Sequence, residues 1–159
     1  MLFRPCRTGQ LLLAFLTLCT SHLSISTFGQ RPPAQPSASE ILHKMQKLNV
    51  LGSVLYIVAH PDDENTRLIA WLANGQKVRT GNLSLTRGDG GQNLIGPELG
   101  DALGIIRTQE LMEARRIDGG EQFFTRAVDF GFSKLFAESF EKWGKQEVLS
   151  DVVRVIRQF

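Results

Sequence analysis

Residues 53–59 read SVLYIVA, an unbroken run of β-branched, aromatic and aliphatic side chains. A run this short and this apolar has the pattern of a strand buried on both faces, as in a parallel sheet. It passes directly into HPDDE, residues 60–64, which bring an imidazole, a proline and three acids. Beyond them Leu68, Ile69 and Leu72 carry a helical stripe, and Asn74–Gly75 supplies the stop. KVRTGNLSLT, residues 77–86, is the next strand candidate and holds an internal glycine. Strand, helix and strand at this spacing make a βαβ unit, whose crossover is expected to be right-handed. The chain is therefore expected to be α/β, with a mostly parallel sheet and flanking helices.

The remaining segments extend the alternation. Ser37 and Glu40 have the spacing of a capping box, and Ile41, Leu42, Met45 and Leu48 recur at helical spacing, so a helix is expected through Leu48. RGDGGQNLIGPELG, residues 87–100, is a long glycine-rich loop of a kind that is uncommon unless it builds a site. A helix is expected from Asp101 to Ile117, then a turn and short strand in DGGEQFF. Phe136, Phe140 and Trp143 mark a further helix ended by Gly144, and Leu149, Val152, Val153 and Ile156 mark another. In an alternating fold a helix is followed by a strand. The stop at Phe159 predicts that residues 40–159 are the N-terminal part of a longer domain, incomplete at its C-terminus.

The N-terminus reads as an address. Arg4 and Arg7 precede the apolar core LLLAFLTLC, residues 11–19, which is too short to span a bilayer comfortably. Small residues at Thr27 and Gly29 suit cleavage near Gly29–Gln30. Residues 1–29 are expected to be a secretory signal, which implies export to the periplasm or the extracellular space; an uncleaved anchor is the alternative. Residues 30–39, QRPPAQPSAS, are a Pro/Ser-rich leader. Both cysteines, Cys6 and Cys19, fall within the signal, so the mature chain has no disulfide and no thiolate ligand. From Gln30 onward 16 basic residues face 16 acidic ones. This neutral body has no basic stripe interleaved with aromatics, which argues against a nucleic-acid partner. No stable membrane span is expected once the signal is removed.

In α/β sheets ligands gather beyond the carboxyl ends of the strands, where residues 60–64 lie. His60 and Asp63 are three apart, a spacing that can bring an imidazole and a carboxylate onto one small cation, and both are zinc ligand types. Asp62 then points elsewhere and is available to take a proton from a metal-bound water. The structural alternative makes Asp62 a helix N-cap, with Asp63 and Glu64 favoured by the macrodipole and His60 merely hydrogen-bonded at the sheet edge. Two ligands do not complete a zinc site. The other histidines, His22 in the signal and His43 on the leading helix, are unconvincing as a third.

The segments AHPDDE, LSLTRGDGGQN, IGPELG, LGIIRTQEL, AR and DFGFSK, in this order, resemble the PIG-L (LmbE-like) deacetylase family, and in particular a secreted bacterial branch of it. The resemblance runs from Val54 to Phe159. It implies a Rossmann-like α/β fold and a divalent metal, usually Zn2+, used to remove N-acetyl groups from N-acetylglucosamine-containing substrates. By motif, His60 and Asp63 resemble two metal ligands and Asp62 the general base. The family's third ligand is a histidine in a later HxxH-like motif, which this sequence does not contain. A non-catalytic, exported carbohydrate-binding module, or an inactive truncated fragment lacking the third metal ligand, is the rival expectation. His/carboxylate sites also accept iron, manganese or cobalt.

Further candidates each carry two readings. Arg87 and GDGGQN either offer a guanidinium and backbone N–H groups to a substrate or form a loop with a salt bridge. Arg107 resembles the family's substrate-facing arginine, and otherwise pairs with Glu110 one helical turn on. Asp129 either lines the pocket or forms a turn before Gly131. Phe123, Phe124, Phe130 and Phe132 are either core or a sugar-stacking platform. His43 is expected on a solvated helix face.

Overall fold

A computed structural model of the chain describes residues 35–159 apart from Gln92. The expected signal and most of the expected leader lie outside the described residues. Helix α1 (Ala38–Lys47) begins at Ser37, whose hydroxyl accepts the Glu40 N–H while the Glu40 carboxylate accepts the Ser37 N–H. The expected capping box is therefore complete. No residue of α1 is buried; Ile41, Leu42 and Met45 are all exposed, and His43 is half-buried.

Three strands form the sheet: β1 (Ser53–Val58), β2 (Arg79–Ser84) and β3 (Glu121–Phe124), in that order and all parallel. Between β1 and β2 runs α2 (Thr66–Ala70), continued by a π-helical turn over Trp71–Gly75. Helix α3 (Asp101–Asp118) precedes β3 and ends on Gly119 in the left-handed conformation. Helices α4 (Phe136–Trp143) and α5 (Lys145–Gln158) follow, meeting at Gly144. The α/β class, the parallel sheet and the flanking helices agree with the sequence reading. Among the described residues no helix is long and apolar enough to cross a membrane.

One expectation is corrected. The apolar β1 is only partly buried and pairs with β2 alone among the described strands, with Ile57 exposed. The strand buried throughout is β2, whose residues from Thr80 to Ser84 are all buried although most are small or polar. Its central position, between β1 and β3, decides this. Several of its polar groups are engaged where they lie: Thr80 Oγ1 donates to the Val78 carbonyl, Ser84 Oγ to the Thr86 carbonyl, and Asn82 Nδ2 to Gln122 Oε1 on β3, whereas Asn82 Oδ1 is buried with no hydrogen-bond partner among the described residues.

Helices cover both faces. Side chains alternate across a strand, so Asn82 and Gln122 share one face and Gly81 and Phe123 the other. Arg115 of α3 reaches Gln122 on the first face. On the second, the Phe159 ring after α5 stands edge-on to Phe123 at 5.8 Å. The buried apolar core draws on Ile69, Ala73, Leu83, Leu103, Leu111 and Val155.

Candidate functional site

The pairing of β1 continues through two further hydrogen bonds. Leu85 N–H donates to the Val58 carbonyl at 2.8 Å, and Thr86 N–H to the Ala59 carbonyl at 3.0 Å. His60 follows, and the backbone turns through Pro61 and Asp62. Asp63 N–H returns to the His60 carbonyl at 3.3 Å, and the Asp63 carboxylate accepts the His60 N–H at 3.0 Å. The turn folds His60 and Asp63 onto each other, leaving Nδ1 of the imidazole 3.3 Å from Oδ2 of the carboxylate. The acids do not begin the helix, which corrects the helix-cap alternative. Asn65 is the N-cap of α2, its side-chain oxygen accepting the Leu68 N–H at 3.0 Å.

The separation can be compared with what a cation needs. Two ligand atoms, each about 2.0–2.2 Å from a tetrahedral zinc ion, stand about 3.3–3.5 Å apart. The His60–Asp63 pair fits one edge of that tetrahedron. On the far edge of the ring, Nε2 faces Asp129 Oδ1 at 3.7 Å. The two carboxylates lie against opposite ring nitrogens. Among the described residues, no group of three or more His, Cys, Asp and Glu side chains converges to hold a metal ion.

Asp129 is held firmly. Its side chain is 5% exposed. Its Oδ1 accepts the Gly131 N–H at 2.9 Å, while its own N–H donates to Asp89 Oδ1 at 3.3 Å. Asp129 thus forms the turn before Gly131 and faces His60. The residues just before it are fastened to α5 and α4. Asp151 of α5 accepts the Arg126 backbone N–H and both arms of its guanidinium at 2.8–3.0 Å. Trp143 Nε1 donates to the Val128 carbonyl at 2.8 Å. These charge-assisted bonds hold the Asp151 carboxyl at about 2, with the Arg126 side chain the main cause and burial opposing it.

The glycine-rich loop closes the site by making room. Gly88 has φ +69°, and a Cβ there would overlap the Arg107 guanidinium and approach Pro61. At Gly90 a Cβ would meet the Asp129 carbonyl at 2.5 Å. Arg107 thus stacks against the loop and the His60–Asp63 turn. It lines a cavity of about 240 Å³ with Asp62, Glu64 and Glu110, and Asp62 is exposed to solvent there. Arg87 is placed elsewhere. It covers the Phe124 ring at 4.2 Å and donates to Thr108 Oγ1 at 2.9 Å, and it forms no salt bridge among the described residues. It borders a separate cleft of about 470 Å³ with Asp89, Thr108 and Arg126. Of the four phenylalanines, Phe123, Phe124 and Phe130 are half-buried, whereas Phe132 is 86% exposed and belongs to no core.

Glu64 was not singled out for a role of its own by sequence reasoning. Its buried carboxylate sits 3.5 Å from Arg115, which also binds Asp118 at 2.6 Å. Its Oε2 is buried without a hydrogen-bond partner among the described residues. Burial pushes the Glu64 carboxyl above its usual range, and Arg115 only partly offsets this. The signal available in the sequence was its place as the last acid of AHPDDE.

Residues 55–159 match the family PIG-L, GlcNAc-PI de-N-acetylase. The chain belongs to the PIG-L family. No curated protein matches it. The PIG-L family acts on N-acetylglucosamine-type substrates and is generally metal-dependent, and membership of it supports a deacetylase-type hydrolytic activity.

Proposed function

We propose that this PIG-L chain belongs to an exported, divalent-cation-dependent amidohydrolase, preferring zinc, that removes N-acetyl groups from N-acetylglucosamine-type sugars or their conjugates. The observation that carries the reading is the 3.3 Å approach of His60 Nδ1 to Asp63 Oδ2 beyond the end of β1, in a chain of this family. His60 and Asp63 would hold the cation. When bound, it would supply Lewis acidity, polarising an amide carbonyl and lowering the pKa of a water molecule toward about 7. Asp62, one residue from a ligand and open to solvent, accepts the proton of the attacking water. It returns that proton to the nitrogen as the C–N bond breaks, giving acetate and an amine. Arg107 and Asp129 line the reacting end of the substrate, and Arg87 a more distant part of it. Export rests on the basic and apolar pattern of residues 1–29.

A second reading, an exported carbohydrate-binding module without catalysis, is favoured by one observation: two rather than three metal-ligand side chains meet among the described residues. Acetate release from a panel of N-acetylated amino sugars, with and without a chelator, separates the two. Chelator-sensitive release supports the hydrolase. Sugar binding with no release under any metal supports the module. N-terminal sequencing of the secreted protein tests cleavage near Gly29–Gln30, and an intact N-terminus in the exported fraction would refute it.

A further inference from the structure

His60 stands between two carboxylates of different character. Asp63 faces Nδ1 at 3.3 Å, is 49% exposed, and already accepts the His60 backbone N–H. Asp129 faces Nε2 at 3.7 Å and is 5% exposed. The first separation matches the ligand–ligand edge of a tetrahedral zinc site; the second is too long for that edge and too long for a formed hydrogen bond. A ring that offers its Nδ1 lone pair to a cation must carry its proton on Nε2, which points at Asp129. Histidine ligands characteristically donate their second N–H to a carboxylate, which fixes the tautomer and raises ligand basicity.

We propose that Asp129 is a positioning residue for His60. Its buried carboxylate selects the Nε2–H tautomer and aims Nδ1 at the cation position beside Asp63. The inference rests on the cation-binding reading of His60 and Asp63. Three features of the fold suit Asp129 to the role. Water screens a buried charge far less than an exposed one, so Asp129 outweighs the solvated Asp63 in choosing where the proton sits. A shift of about 0.7 Å brings the pair to hydrogen-bond length. Asp129 is tethered beside the ring, because Asp89 accepts its N–H and the Arg126–Asp151 clamp and the Trp143–Val128 bond anchor the residues just before it. The close approach at Gly90, where a side chain would strike the Asp129 carbonyl, shows that the loop is fitted around this residue.

The test needs no turnover. Two-bond proton–nitrogen correlation spectra of the labelled, cation-free chain report the tautomer of His60 at a pH where the ring is neutral, and calorimetric titration with zinc chloride reports affinity. Expected are an Nε2–H tautomer in the wild type, a tautomer mixture in Asp129→Ala with zinc affinity lowered about 10–100-fold, and recovery to within a few-fold in Asp129→Asn, whose amide oxygen still accepts. An Nδ1–H tautomer in the wild type overturns the proposal, as does an Asp129→Ala protein that is folded by circular dichroism with tautomer and affinity unchanged. If Asp129→Ala does not fold, the wild-type tautomer alone decides. Should zinc fail to bind the wild type, the cation reading of the site falls, and the tautomer comparison still decides what Asp129 does to His60.

Discussion

Replacing Asp151 by Asn removes the charge that fastens the Asp129 loop to α5 without changing the size of the side chain. The carboxylate is 3% exposed and receives three bonds from Arg126 and one from Arg154. Holding it at about 2 instead of its ordinary 3.8 corresponds to about 2 kcal/mol of stability at neutral pH. Both arginines are 58% exposed, so water screens the ion pairs and a realised loss of about 1 kcal/mol is expected. The pKa is depressed on folding, so this stabilisation is complete above about pH 4, is about half gone near pH 3 and vanishes as pH falls through about 2. Urea unfolding of wild type and Asp151→Asn at neutral pH and at about pH 3 measures it, with midpoints compared at constant slope. A gap between the two proteins that stays constant with pH would refute the reasoning, because an uncharged packing defect does not titrate. Equal stability at neutral pH would refute it too.

Asp62→Asn should cost about 10²–10⁴-fold in kcat while leaving zinc stoichiometry unchanged, read by acetate release and metal analysis; undiminished turnover sinks the assignment of the base. Gly88→Ala combines an unfavourable left-handed backbone with an overlap at the Arg107 guanidinium, and should lose at least about 1 kcal/mol in urea unfolding. Arg115→Met strips the cation from two buried carboxylates, Glu64 and Asp118, and should destabilise by about 3–5 kcal/mol; a neutral effect would mean that those acids find other partners. Zinc at about one hundred times its Kd should add about 2.7 kcal/mol to the unfolding free energy, reversed by chelator. An unchanged melt argues against a cation site.

The alternation of strands and helices was legible because hydrophobic periodicity is local, and the two helices after residue 130 were marked by apolar spacing and the glycine between them. The turn bearing His60, Asp62 and Asp63 was legible for a similar reason: its residues are neighbours in sequence at a strand end. What sequence could not rank was burial within the sheet. Leu55 and Ile57 look more buried than Thr80 and Asn82, but centrality depends on which strands pair, and pairing links distant segments. The helix start was not legible because three acids compete with Asn65 for the cap, and the Asp63 carboxylate is already engaged by the His60 N–H. Glu64 and Arg115 are far apart in the chain, so their partnership left no local trace.

The polar character of β2 has a kinetic side. Parallel pairing requires loops to close before any bond in the ladder forms, so both of its seams are late, non-local events in folding. Throughout that interval the segment destined for the middle of the sheet lies in water. RTGNLS lacks the continuous apolar, β-prone character that drives strands of different molecules to stack, whereas SVLYIV has it. Of these two paired segments, the fold buries the hydrophilic one deepest, and it is the β1 segment that has the character of an aggregation template in the unfolded chain.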